Sequence, residues 1–168
     1  MSIIRKLFFI IFLFTLANQV NAEEVKKLGT HKDWETFVIN GALGKVCFAQ
    51  SKPVLQAPKN DTREARLFIS FRPGENISNE ISITSGYDYN SKNSVTAISG
   101  KNKYKFDIIQ KNFAWMTDVK FENKMIKTMK KGSRIMVTGY NQKGSQTIDH
   151  YSLLGFTKAY NTAKKSCS

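Results

Sequence analysis

Histidine, cysteine, proline and tryptophan are scarce in this chain of 168 residues: two, two, three and two. Two histidines far apart, His31 and His150, supply too few soft ligands for a zinc site once the cysteines are oxidised, and the carboxylates show no calcium-loop spacing, so no metal or other cofactor is expected. With no Cys-x-x-Cys pair, thiol–disulfide catalysis has no support. The glycines from Gly139 to Gly144 lack the following Lys-Ser/Thr of a phosphate-binding loop. Acidic residues are also few. Thirteen Asp and Glu face 26 Lys and Arg, a formal net charge of +13. Arginine is the minor cation, limited to Arg5, Arg63, Arg66, Arg72 and Arg134. Specific phosphate readers favour the planar guanidinium, so a specific nucleic-acid interface is not expected. A lysine-rich surface suits diffuse attraction to anionic envelope polymers or a membrane surface; contact with a protein partner is equally compatible, and a merely solvated basic surface is the plainer account.

Only one long apolar run is present. Leu7 to Leu16 follows Arg5 and Lys6 and precedes Val20-Asn21-Ala22, a small-residue cleavage site. The run is shorter than the roughly 18 residues that a spanning helix needs. The expectation is a signal peptide over residues 1–22, cut between Ala22 and Glu23. Loss of Arg5 and Lys6 would lower the net charge from +13 to +11. Residues 23–168 would form one domain with no further transmembrane segment, in the periplasm or outer membrane, or secreted. In that oxidising setting Cys47 and Cys167 are expected to pair within the chain; free thiols or an intermolecular bridge are the alternatives.

Along the mature chain the pattern is mainly β. Glu23 to Lys32 reads as a loose polar lead-in. Trp34–Ile39, Lys45–Gln50, Arg66–Arg72, Glu80–Ser85, Val95–Ile98, Tyr104–Ile108 and Phe113–Met116 read as short strands. Ser51 to Thr62, with Pro53 and Pro58, reads as a loop. Phe68 makes the outward side of its strand apolar too, so both faces are expected to be partly covered. Ile81 and Ile83 point inward with hydroxyls outward. One interior helix is predicted over Phe121–Lys131, with Phe121, Met125, Ile126 and Met129 on its buried face and Gly132 as the residue that ends it. A hairpin, Arg134–Tyr140 with Gln146–Leu154, and a short helix over Phe156–Lys165 close the chain. Eight or nine short strands favour a sandwich or partly closed barrel.

Asp149-His150-Tyr151-Ser152 names the residue types of a hydrolytic triad. In a strand, however, Asp149 points away from His150, and Ser152 is on no nucleophile elbow. A hydrolase built on these three is therefore the weakest functional reading, and no catalytic residue is assigned. Trp34 and Trp115 are large aromatics in short β-runs. They are candidates for core packing first and for stacking on a sugar or base second. Tyr151 is a candidate of the same kind.

Several of these residues together resemble the invasion-associated locus B family of exported bacterial envelope proteins. They are Asp33-Trp34, Cys47, Arg72-Pro73, Glu80 to Ile83 with Gly86-Tyr87, and Ala114-Trp115, followed by Met129 to Gly132, Gly139, Gly144-Ser145, Asp149 to Phe156 and Cys167. Ser145 and His150 depart from a commoner Thr at each position. The resemblance implies an immunoglobulin-like β-sandwich with one or two short helices, and no assigned catalytic residue. It also implies a non-enzymatic role by surface contact in the envelope, or alternatively an adhesion or invasion factor that contacts host cells.

Overall fold

The computed structural model describes residues 24–42 and 44–168. The predicted signal segment and its cleavage site at Ala22 and Glu23 lie outside the described residues. Twelve strands and two helices follow one another among the described residues. They are β1 (Val25–His31), β2 (Trp34–Gly41), β3 (Gly44–Ser51), β4 (Leu55–Ala57), β5 (Arg66–Arg72), β6 (Ile77–Thr84), β7 (Val95–Ser99), β8 (Asn102–Phe106), β9 (Ile108–Gln110), β10 (Phe113–Trp115), α1 (Val119–Lys131), β11 (Arg134–Tyr140), β12 (Gln146–Ser152) and α2 (Phe156–Ser166). They build two antiparallel sheets, a β-sandwich decorated by two short helices. The first sheet runs β1-β2-β3-β5-β6-β10-β9 and the second β4-β12-β11-β7-β8.

The inner face of the first sheet is set by simple alternation. Register aligns Thr36 with Ala49, Ala49 with Ile69, Ile69 with Ile81, and Leu67 with Ile83. All are buried, and apart from Thr36 they meet Ile135, Val137 and Phe106 from the second sheet in one apolar cluster. Burial of this kind stabilises by about 25 cal/mol for each Å² of apolar surface removed from water. The α2 helix packs on β1, β2, β3 and β5 and buries Phe156, Ala159, Tyr160 and Ala163.

Several elements differ from their sequence reading. The lead-in is strand β1, whose residues are nearly all exposed. Such an edge strand needs only backbone pairing with β2, so it carries little apolar signal. The expected loop after Ser51 contains β4, three residues that pair with β12. The run Tyr104–Ile108 divides at Asp107, because β8 belongs to the second sheet and β9 to the first. The chain crosses between layers there. The hydroxyls of Ser82 and Thr84 do face outward, yet they are buried. Aromatic neighbours on the same face cover them.

Helix α1 starts earlier than expected. Asp118 caps it by accepting a hydrogen bond from the Lys120 backbone N–H at 2.7 Å. Its buried stripe is Glu122, Met125, Ile126 and Met129, and Phe121 is exposed. The positions i, i+3, i+4 and i+7 from Glu122 are one helical face; Phe121 sits one residue off it. Gly132 ends the helix with extended backbone, φ −87° and ψ 169°. Its requirement is space, since a Cβ there would lie 3.1 Å from both Leu153 Cδ1 and Ser99 Oγ.

Candidate functional site

The β12 strand carries Asp149, His150, Tyr151 and Ser152, and its alternation separates them. Asp149 and Tyr151 point into the core and are fully buried. His150 and Ser152 point the other way and are half-buried. Ser152 Oγ accepts a hydrogen bond from the Leu154 N–H at 3.2 Å. Asp149 is committed to Arg63 instead: Nη1 donates to Oδ2 at 3.0 Å and Nη2 to Oδ1 at 2.7 Å. Gln56 Nε2 donates a third bond to Oδ1 at 3.2 Å. The three side chains form no relay from base to nucleophile.

What the strand builds is a buried polar network. Arg63 also donates to the backbone carbonyls of Ser85 and Ala57, and its guanidinium lies 5.7 Å from the centre of the Tyr87 ring. The Tyr87 hydroxyl meets Thr147 Oγ1 at 2.6 Å and the Tyr89 hydroxyl meets Ser85 Oγ at 2.8 Å. Burial alone would lower the Arg63 pKa, but the hydrogen bonds and charge of Asp149 outweigh it and raise it. Burial pushes the Tyr89 and Tyr151 hydroxyls up. Gly139 makes room for the network, because a Cβ there would stand 2.7 Å from the Tyr87 hydroxyl. Sequence reading gave Arg63 no role. Its partner lies 86 residues away, and no local pattern announces so distant a pair. The one available hint was an Asp at an inward position of a strand.

Trp34 is fully buried. Its Nε1–H donates to the Ser152 carbonyl at 2.9 Å, and its ring meets Phe156 edge-on at 4.9 Å. Trp34 and Tyr151 therefore present no surface to a ligand. Trp115 is half-buried on β10 and stacks on Phe113 at 5.5 Å. It borders an open cleft of about 450 Å³ that also includes Ile77, Ile108, Val119 and Glu122. Cys47 and Cys167 form a disulfide, Cα to Cα 5.8 Å, across 120 residues of sequence. It fastens the end of α2 to β3. Among the described residues no group of three or more His, Cys, Asp or Glu is placed to hold a metal ion, and no helix is long and apolar enough to cross a membrane.

The two helices concentrate positive charge. Helix α1 carries Lys120, Lys124, Lys127, Lys130 and Lys131, and α2 carries Lys158, Lys164 and Lys165, all exposed. The single acidic residue within either helix is Glu122, which is buried. The helices touch each other. Lys130 Nζ lies 3.9 Å from the centre of the Tyr160 ring, and burial followed by repulsion from Lys164 lowers its pKa.

Comparison with known proteins assigns the chain. The family model described as "Invasion associated locus B (IalB) protein" matches residues 34–164. The chain belongs to the invasion associated locus B family. Members of this family are exported, envelope-associated proteins. The sandwich of this family member is also similar to the crystal structure of invasion associated protein b from Bartonella henselae. The TM-score is 0.59 at 13% sequence identity, over 84% of this chain and 97% of that one. That likeness concerns the fold. No curated protein matches the chain. The family match spans Trp34, Cys47 and the Arg63–Asp149 pair, and stops short of Cys167.

Proposed function

We propose that this protein is a non-enzymatic binding protein of the bacterial envelope, in the periplasm or at the outer membrane. It works by contact between its helical face and an anionic envelope component. The observation that carries this reading is the charge on α1 and α2: eight exposed lysines and one acid, itself buried. Lysines on neighbouring helices create a continuous positive potential without the planar geometry of a specific phosphate site. Membership in an exported, envelope-associated family supports the compartment.

Retention on heparin or on immobilised lipopolysaccharide tests the proposal. It should fall steeply with salt, because exposed charges are screened over about 10 Å at 0.1 M. Combined Lys124→Glu, Lys127→Glu and Lys164→Glu should abolish retention. Lys143→Glu, in the hairpin turn at the far end of β11, should leave most of it. Equal retention of the two variants removes the helical face from the reading. A second reading, contact with host cells, is favoured by the name of the Bartonella henselae relative. Binding of purified protein to cultured cells, lost in the triple lysine variant, would support it.

A further inference from the structure

The outer face of the first sheet is aromatic, and no second layer among the described residues covers it. Phe37 of β2 pairs in register with Phe48 of β3, and the row continues through Phe68 of β5 to Phe113 and Trp115 of β10. Successive ring centres are 5.2, 6.1, 6.1 and 5.5 Å apart. Every one of these rings remains partly exposed. Contiguous apolar rows on a lysine-rich molecule are the kind of surface on which partners dock.

Its chemistry narrows the occupant. Three cations at its margins are paired with carboxylates: Lys27 with Glu35, Arg66 with Glu64 and Arg72 with Glu80. The face therefore offers little to a polyanion. The Phe37–Phe48 and Phe113–Trp115 pairs are stacked, with interplanar angles of 16° and 25°. Stacking within each pair covers one face of each of these rings. What remains is a neutral, ridged apolar surface with an aromatic pair at each end and Phe68 between them. Such a surface complements itself. A two-fold axis through Phe68 would set Phe37 and Phe48 of one protomer against Phe113 and Trp115 of the other, as an isologous contact requires. Strand spacing and rise give the face on the order of 600 Å² per copy. Stable interfaces bury about 800 Å² per partner.

We propose that a second copy of this chain docks on this face, so that the protein is a reversible face-to-face dimer with four stacked sheet layers. Its association is apolar, so salt leaves it unchanged or strengthens it. That separates it from the helical lysine face, whose contacts weaken with salt.

Sedimentation velocity of the exported protein, over a micromolar concentration series at low and high salt, tests this. A dimer that persists in high salt is expected. Phe48→Lys and Phe113→Glu, each alone, should weaken it by about thirtyfold or more. An equal mixture of the two should recover it, since each charge then faces its opposite across the axis. Thermal unfolding of each variant shows whether the fold is kept. A wild-type chain that stays monomeric at the top of the series overturns the proposal whatever the variants do. So does a dimer that dissolves in salt, or a mixture of folded variants that recovers nothing.

Discussion

Arg63 grips Asp149 through two charge-assisted hydrogen bonds, at 3.0 and 2.7 Å, in a site where both side chains are almost fully buried. The pair ties the segment before β5 to the centre of β12, and hence one layer of the sandwich to the other. It also removes the one carboxylate next to His150 from any chemistry with it.

Breaking this pair from one side should be costly. Arg63→Met leaves a buried carboxylate without its counter-ion, and a loss of roughly 3–5 kcal/mol is expected. The double variant Arg63→Met with Asp149→Leu should lose less than the single one, because no stranded charge remains. Urea denaturation of both variants measures the difference.

Gly155 should tolerate no side chain. Its φ is +89°, and a Cβ would fall 1.8 Å from the His31 carbonyl oxygen, an atom of the β1 backbone. Gly155→Ala must displace either β1 or the start of α2. A loss of roughly 3–5 kcal/mol is predicted, read as a fall in the thermal midpoint. Gly144 makes the informative control. Its φ is +83° with nothing near a built Cβ, so Gly144→Ala should cost only about 1 kcal/mol.

Removing the disulfide should loosen the last helix first. Cys47→Ser with Cys167→Ser is expected to cost about 2–5 kcal/mol. Hydrogen exchange should then rise in α2 before it rises in β5 and β6, because Cys167 is the covalent tie at its end.

Glu122 gives a pH-dependent prediction. Burial raises its pKa above 4.5. The Ile81 N–H that donates to it opposes the shift, and the charges of Glu80 and Asp118 add to it. The folded state therefore binds this proton more tightly than the unfolded state does. Its ionisation works against folding at neutral pH, and that penalty fades as pH falls through the raised folded-state value towards 4.5 and below. Glu122→Gln keeps an oxygen for the Ile81 N–H and removes the charge. The variant should be more stable than the parent at neutral pH, with the gap closing under acid. Unfolding curves across a pH series would show it; an unchanged gap would mean that ionisation is not the source.

Much of the architecture is written locally. The alternation at Arg66–Arg72 gave β5 with the same bounds, because a strand half-buried in a sheet must repeat every two residues. The hairpin of β11 and β12 followed from two β-branched runs around Gly144. Weak local patterns misled at β1 and β4, strands set by pairing with a neighbour and not by an apolar alternation of their own. At α1 Met125, Ile126 and Met129 are buried as expected, and only the first member of the stripe differs: the charged Glu122 is buried in place of Phe121.

Composition and order along the chain determined the β-rich class, the excess of lysine, the cysteine pair and the family to which it all belongs. These are properties of residue type, periodicity and spacing, which need no third dimension. Folding alone decided that Arg63 meets Asp149, that Gly155 lies against His31, and that five aromatic rings from four strands form one outward row. Each joins residues from separate strands or segments of the chain, and only the closing of the two sheets brings them within contact distance.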